Sequence, residues 1–337
     1  MVHDGRVEEQ ELVELASRDE VAFGRLVAPY RGELHAHCYR MLGSVQDAED
    51  AVQNALLGAW QGLKAFEGRS SVRSWLYRIA TNACLRIAER RSKLVLAKDF
   101  GPARHSVDDL GVPVTESVWV EPYPLDPEAS YELRESVELA FVAALQHLPA
   151  TQRAVLILRE VLAFSAAEVA VQLDTTVASV NSALQRARKT LDGVSREQSQ
   201  QEALRDLGED GRRELVAAFV TAFEKADVDG MLALLVEDVR FTMPPLPAWY
   251  SGITDVGRFF RERVFETPWL LRPTTANGQL AFACYQSTPD GYVLGALNVL
   301  TLRGDKIVEI TGFLDPASHA AFDLPATPPG GEDRAGR

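Results

Sequence analysis

LPATQRAVLILREVLAFSAAEVAVQLDTTVASVNSALQRARKTL, residues 148–191, divides by its spacing into three helical segments. Pro149 stands where a helix opens, because the N–H it lacks has no partner there in any case. That first helix carries Val155, Leu158 and Leu162 on one side. Ser165 and Glu168 have the spacing of a capping box for the second, SAAEVAVQL. Asp174-Thr175-Thr176 is a tight break. The third helix turns Val180, Leu184, Ala187 and Leu191 inward. Its other face shows Ser179, Ser182, Gln185, Arg186 and Lys189, with Asn181 and Arg188 on the flanks. Small polar residues lead and cations trail. That order suits a helix whose N-terminal turn enters the major groove while Arg and Lys reach bases and phosphates. A bundle helix with a solvated basic face has the same period. Asp174 stands where such turns often have glycine. Asp takes the left-handed conformation less readily than Gly, so a strained or altered turn is expected.

The chain around this motif has 337 residues, enough for two or three domains. With 46% hydrophobic and 25% charged residues it has the composition of a globular protein. No apolar run approaches the roughly 20 residues of a membrane span. MVHDGRVEEQ is too acidic for a signal peptide. Cys38, Cys84 and Cys284 are odd in number and far apart, which fits the reducing cytoplasm. The net charge of −13 is uneven. Residues 1–93 hold 13 basic and 13 acidic side chains, and residues 94–148 hold 3 and 10. Residues 149–196 hold 6 and 4, and residues 197–337 hold 13 and 21. Only the first and third of these stretches could approach phosphates.

Two further helices stand out near the N-terminus. DAEDAVQNALLGAW, residues 47–60, puts Ala48, Ala51, Val52, Ala55, Leu56 and Ala59 on one stripe. The opposite side is polar except for Leu57 and Trp60. Ser44 and Asp47 have N-cap spacing, and acids at a helix N-terminus suit the dipole, so the carboxylates have a structural explanation. Leu57, one turn beyond Gln53 on the polar side, does not. The mixed face of Asp50, Gln53, Leu57 and Trp60 is therefore the candidate docking surface, with Trp60 bordering the buried stripe. In SSVRSWLYRIATNACLRIAERR, residues 70–91, the inward stripe is Val72, Leu76, Ile79, Ala80, Ala83 and Ile87. Trp75, Arg78, Asn82, Arg86 and Glu89 share another face. An aromatic with Arg and Asn suits unpaired bases, which stack on rings and guanidinium planes.

These three stretches together resemble the extracytoplasmic-function (ECF) sigma factors of the sigma-70 family, over residues from about 8 to 192. The resemblance implies a subunit of RNA polymerase that reads promoter DNA. Its partners would be core polymerase, through the β′ clamp helices and the β flap, and the promoter. Carried over by position, Asp47, Glu49, Asp50, Gln53 and Leu57 face the clamp helices. Arg73, Trp75, Arg78, Asn82 and Arg86 lie at the melted −10 strand. Ser179, Asn181, Ser182, Gln185, Arg186, Arg188 and Lys189 lie at the −35 duplex. An acidic spacer fits a path through the positively charged exit and template region of polymerase. A solvated linker that only sets reach would have the same composition.

From residue 212 the pattern is helix (RRELVAAFVTAFEKAD), helix (DGMLALLV), strand (VRFTM), loop (PPLPAWYSG), helix (TDVGRFFRERVF), then about four strands. QLAFACYQS, YVLGALNVLTL and KIVEITGF, joined by PDG and RGDK turns, form an antiparallel meander. The order resembles the SnoaL-like, cystatin-like α+β cone over about 211–322. Trp249, Tyr250, Trp269, Arg272, Tyr285 and Asn298 could line a ligand pocket, although aromatic residues of a small cone more often form its core. His319 lies beyond the last strand, and capping explains Asp238 and Asp255, so no catalytic residue is assigned. His35, His37 and Cys38 do not form a metal site, because His35 and His37 point to opposite sides of a helix and no second ligand pair follows.

The expected architecture is multidomain: two all-α domains followed by an α+β cone. Sigma region 2 spans 8–93, an acidic linker 94–130, the helix–turn–helix of region 4 131–194, a polar hinge 195–210, the cone 211–322 and a disordered tail 323–337. The expected function is promoter-specific initiation modulated by the C-terminal domain, with no enzyme activity, cofactor or membrane contact. A small-molecule ligand of the cone is the remaining partner. The alternative is a helix–turn–helix regulator with a ligand-sensing or enzymatic cone, which would bind DNA without polymerase.

Overall fold

In a computed structural model of the chain, the structure describes residues 13–91, 94–114, 118–125, 131–192 and 199–328. They fall into two compact units. One comprises Met1–Lys93 with Ala144–Ser195, the other Leu94–Ala143 with Arg196–Arg337. Among the described residues no helix is long and apolar enough to cross a membrane.

The first unit is all helical. α1 (Glu20–Val27), α2 (Arg31–Leu42), α3 (Val45–Gly62) and α4 (Val72–Ala88) enclose a core that includes Leu34, Tyr39, Met41, Val52, Leu76 and Tyr77. Gly43 ends α2 in the left-handed conformation (φ 72°), donating its N–H to the Tyr39 carbonyl at 2.7 Å. The next residue, Ser44, caps α3 by accepting from the Asp47 N–H at 3.2 Å. Ser71 caps α4 in the same way, accepting from the Ser74 N–H.

The second part of this unit follows a one-turn α5 (Ala97–Phe100), α6 (Tyr131–Glu135) and α7 (Leu139–Gln146), within which the boundary between units falls. α8 (Ala150–Leu156) runs into a π turn at Ile157–Val161. α9 (Ala166–Gln172) carries the expected capping box: Ser165 Oγ accepts from the Glu168 N–H at 3.2 Å, and the Glu168 carboxylate accepts from the Ser165 N–H at 2.7 Å. Those bonds hold the Glu168 carboxyl below its ordinary pKa. Asp174 does adopt the left-handed conformation, at φ 50°. α10 (Val177–Asp192) buries Val180, Ala183, Leu184 and Ala187.

One buried guanidinium joins the two helical parts. Arg153 donates to the carbonyls of Leu145 (2.9 Å) and Leu148 (3.0 Å), to Gln146 Oε1 (2.5 Å) and to the Met41 carbonyl. Gln146 in turn donates to the Arg40 carbonyl at 3.3 Å. The C-terminal carbonyls of α2 and α7, which a helix leaves without intrahelical partners, thus share one cation. Burial lowers the Arg153 pKa to about 10, so it stays charged at neutral pH.

In the second unit α11 (Gln200–Glu224) and α12 (Val228–Ala233) precede β1 (Leu235–Thr242) and β2 (Trp249–Ser251). α13 (Ile253–Glu262) leads to β3 (Trp269–Ala276), β4 (Gln279–Thr288), β5 (Gly291–Arg303) and β6 (Lys306–Phe313), and α14 (Pro316–Ala320) follows. The sheet order is β2-β1-β6-β5-β4-β3, with only β1 and β6 parallel among neighbours. Phe219, Phe223, Phe241, Phe260 and Phe282 fill the space between helices and sheet. The four strands after α13 match the expected meander with one strand before it.

Four expectations need correction. Residues 200–207 are not hinge but helix, with a single break at Gly208 (φ 70°, ψ 177°); residues 195–198 lie outside the described residues. QQEALRDL is made of good helix formers, and its polarity has a buried use. Gln200 exchanges two hydrogen bonds with the backbone of Leu302, at 2.6 and 3.1 Å, and Gln201 donates to the Gly278 carbonyl at 2.7 Å. PPLPAWYSG is not all loop, since Trp249–Ser251 pairs with β1. Asp238 is no cap either; it lies within β1 and pairs with Arg303 at 2.8 Å. Of the tail, Ala326 accepts from the Leu294 N–H at 2.9 Å, and residues 329–337 lie outside the described residues.

The linker belongs to the second unit and is held by the cone. Lys98 pairs with Glu309 at 3.5 Å. Gly101 accepts from the Trp249 indole at 2.8 Å, and the Arg104 N–H donates to the Trp249 carbonyl at 2.8 Å. Ser106 accepts from the Tyr250 hydroxyl at 3.3 Å, and the Val114 N–H donates to Pro245 at 2.9 Å. Tyr123 and Asn277 exchange two bonds of 2.8 Å. Between these ties Val107 is buried in the cone's own core. A segment without regular structure has to satisfy its backbone polar groups elsewhere, and here the cone supplies the partners.

Candidate nucleic-acid interface

α10 presents the expected surface. Ser179, Asn181, Ser182, Gln185, Arg186, Arg188 and Lys189 are all exposed, and the buried stripe lies opposite them. Thr176 supports the leading turn: its hydroxyl accepts from the Ser179 N–H at 3.1 Å and donates to the Ser179 hydroxyl at 3.0 Å. Arg188 is not free, because it is paired with Glu160, which lies before the helix–turn–helix. Val177, the first residue of the helix, is also exposed, an apolar residue that the spacing of the polar face did not single out.

On α4 the expected residues divide. Arg78 and Arg86 are exposed; Trp75 and Asn82 are half-buried. Trp75 leans on Phe66, with ring centroids 4.9 Å apart. Arg73 lies on a different side. It forms a fork with both oxygens of Glu33 (2.8–3.1 Å), and its guanidinium lies 4.8 Å from the Tyr77 ring and 5.4 Å from the Phe164 ring. Phe164 comes from the segment before α9 and packs edge-on against Tyr77 at 5.5 Å. Gln172 of α9 donates to the Ser74 hydroxyl at 3.2 Å. No spacing within residues 70–91 could reveal these partners, which lie some 40 to 100 positions away.

α3 shows the same division. Asp50, Gln53 and Leu57 are exposed, Leu57 by 56%. Glu49 is half-buried, accepts from Gln53 at 3.0 Å and lies 3.7 Å from His35. Asp47 points inward and pairs with Arg91; burial raises its pKa, against the pull of that cation. Trp60 packs edge-on against Phe23 of α1, with centroids 5.1 Å apart, so it belongs largely to the core. His37 also has a structural place. It is fully buried, 2.9 Å from the Thr81 hydroxyl, and burial pushes its pKa down to about 3.

The six residues expected to line a cone pocket do not converge. Tyr250 stacks on Phe259 within the core, at 4.5 Å. Trp249 is bonded to the linker, and the Trp269 indole donates to the Val264 carbonyl at 2.6 Å. Asn298 pairs in register with Phe282 on the core face, whereas the alternation of β4 puts Tyr285 on the other face. Of the six, Arg272 borders an open groove of about 820 Å³, between α11 and β3, shared with Arg212, Val216, Val220 and Leu280. The acid–base candidates are tied up as well: His319 lies 2.7 Å from the Phe313 carbonyl and Asp255 2.7 Å from His105.

Comparison with known proteins identifies the parts of the chain. Residues 26–94 match the Sigma-70 region 2 family, 138–191 the Sigma-70 region 4 family and 216–310 the SnoaL-like domain. The ECF RNA polymerase sigma factor SigG of Mycobacterium tuberculosis is 41% identical over 314 residues, covering 90% of this chain and 84% of that protein. The chain belongs to the ECF sigma factors. A shorter relative, the ECF RNA polymerase sigma-E factor of Escherichia coli K12, is 30% identical over 185 residues, 55% of this chain and 92% of that one. The crystal structure of the Mycobacterium tuberculosis ECF sigma factor SigJ shares the fold, with a TM-score of 0.60 at 22% identity over 88% of this chain and 97% of that one. In this sigma factor the two matched regions therefore correspond to α2–α4 with the end of α1 and to α7–α10, and the SnoaL-like domain to most of the sheet and its helices.

Proposed function

We propose that this sigma factor docks on core polymerase through the exposed part of α3, Asp50, Gln53 and Leu57. It captures unstacked −10 bases with Trp75, Arg78, Asn82 and Arg86, and reads the −35 duplex with the exposed face of α10. It works beside polymerase in the cytoplasm and makes or breaks no bonds itself. The observation that carries this reading is that face: seven polar or cationic side chains exposed on one helix behind a complete helix–turn–helix. Run-off transcription with core polymerase tests it. Leu57→Ala and Asp50→Arg should weaken binding to core while the chain stays folded; undiminished binding by both would remove the docking assignment.

The C-terminal domain is read as a regulator that acts through the linker. The same segment that would thread the polymerase is bonded to the cone at both ends and has Val107 inside it. It cannot occupy both places. Val107→Asp would set a charge in an apolar core and release the segment. Higher run-off yield at equal core binding is the expected result, and unchanged yield would end the regulatory reading.

A further inference from the structure

Val177 stands apart on α10. It is the first residue of that helix and is 44% exposed, outside the buried stripe of Val180, Ala183, Leu184 and Ala187. A β-branched residue is a poor choice for an exposed helix position, since it forms helix less well than Ala, Lys or Gln. Its place is nonetheless specific. At helical spacing it stands one turn before Asn181 and two before Gln185, on the stripe that carries the exposed polar residues. It belongs to the leading turn, which in this motif goes deepest into the groove. Cations at Arg186 and Lys189 lie further along, placed to hold the backbone.

An apolar side chain at that point has one natural target. Among the base edges of the major groove only thymine offers an apolar group, its C5-methyl; the others offer donors and acceptors. We propose that Val177 is a specificity-determining residue of −35 recognition, packing its isopropyl group on the methyl of a thymine in either strand. This rests on the reading of α10 as the −35 helix. The polar residues behind it set the register, and Val177 rewards a thymine at one position. Val171, on α9, is exposed too but lies on the other helix of the motif, and serves as a comparison.

The test starts from random DNA rather than from a chosen promoter. Full-length protein with core polymerase selects promoters from a pool randomised at the −35 element. The selected sequences should hold a thymine at a fixed position, and selection by Val177→Ala should lose it. Each selected element is then made with deoxyuridine in place of thymidine, which deletes only the methyl. Wild-type run-off at limiting promoter should fall about fourfold, as expected for one buried methyl-sized group. Val177→Ala should start about fourfold lower on thymidine and show no further loss on deoxyuridine. Val171→Ala should keep the wild-type response. The proposal is overturned if selection fixes no thymine, if wild type is indifferent to deoxyuridine, or if Val177→Ala remains as sensitive as wild type. Gln185→Ala and Arg186→Ala keep the two readings apart: if neither lowers initiation, α10 is not the −35 helix, and the fault lies there rather than with Val177.

Discussion

α4 and α10 are both amphipathic helices with a basic face, yet they differ in how much of that face their own chain occupies. α10 leaves every expected contact residue on the surface, and among the described residues Arg188 alone of its cations is paired. α4 is engaged by its own chain. Glu33 holds Arg73, Phe164 covers it, Gln172 bonds to Ser74, and His37 meets Thr81. Phe164 and Gln172 come from the part that carries α10. On the proposed reading, direct packing of the part that carries α4 against the part that carries α10 is incompatible with reading both promoter elements at once. They are about 25 base pairs apart, some 85 Å of duplex at 3.4 Å per step. If α4 and α10 read the two elements as proposed, the first unit is a closed form that opens on the promoter, and the contacts that opening breaks are those of Phe164 and Gln172 with α4.

The strongest tie between the two helical parts is Arg153, which reaches the Met41 carbonyl of α2. Arg153→Ala would leave the carbonyls at the ends of α2 and α7 buried without a donor, at a cost of about 4 kcal/mol. Arg153→Lys should rescue little, because an ammonium cannot fork to several carbonyls. Hydrogen exchange over peptides from residues 139–192 would show the loss, and a change below about 1 kcal/mol would mean that the joint lies elsewhere. Next in size is the effect of acid. His37 is neutral in the fold, with its pKa about 3 against an ordinary 6.5. The unfolded chain thus takes up the proton first. Stability is complete above pH 6.5 and falls as pH drops from there toward 3. By pH 5 the loss reaches about 2 kcal/mol. His37→Gln should flatten that slope; an unchanged slope would show that other groups produce it.

How far the sequence could be read follows the same contrast. Periodicity decides which side of a helix is buried, so the α10 face, the capping box and the exposed Leu57 were all legible. It cannot tell which exposed residues are claimed by distant partners. Asp47 was read as a docking acid and is paired with Arg91; Arg73 was read as a DNA contact and is held by Glu33. Composition misled at the polar stretches. Gln200 and Gln201 look like linker, but their amides complete strand backbones. The acidic linker looked unattached because a single Val107, among Pro, Gly and Asp, is enough to anchor it.

A direct comparison of the two helices uses one arginine from each side. Arg186→Ala should weaken initiation about tenfold, the loss of a good groove contact. Arg73→Ala should cost well under half that in free energy if Arg73 serves the closed form. Equal losses in run-off assays would mean that Arg73 leaves Glu33 for the DNA when the unit opens, and the division drawn between the helices would hold only for the closed form.

The smallest effect is expected at Asp174, where the two helices of the motif turn. Its φ of 50° is the left-handed region, which costs an L-residue of order 1 kcal/mol and glycine nothing. Glycine also gives the unfolded chain more freedom, which takes back part of the gain. Asp174→Gly should therefore stabilise the chain by about 0.5 kcal/mol, a rise of 1–2 °C in melting temperature at roughly 2–4 °C per kcal/mol. Initiation should not change, because the backbone angle that sets α10 against α9 is one that glycine also adopts. If the variant is more stable but initiates less well, the strain at this turn is not incidental. The exposed Asp174 carboxylate would then contribute to the DNA face, excluding phosphates from the turn so that the leading residues of α10 are placed in register.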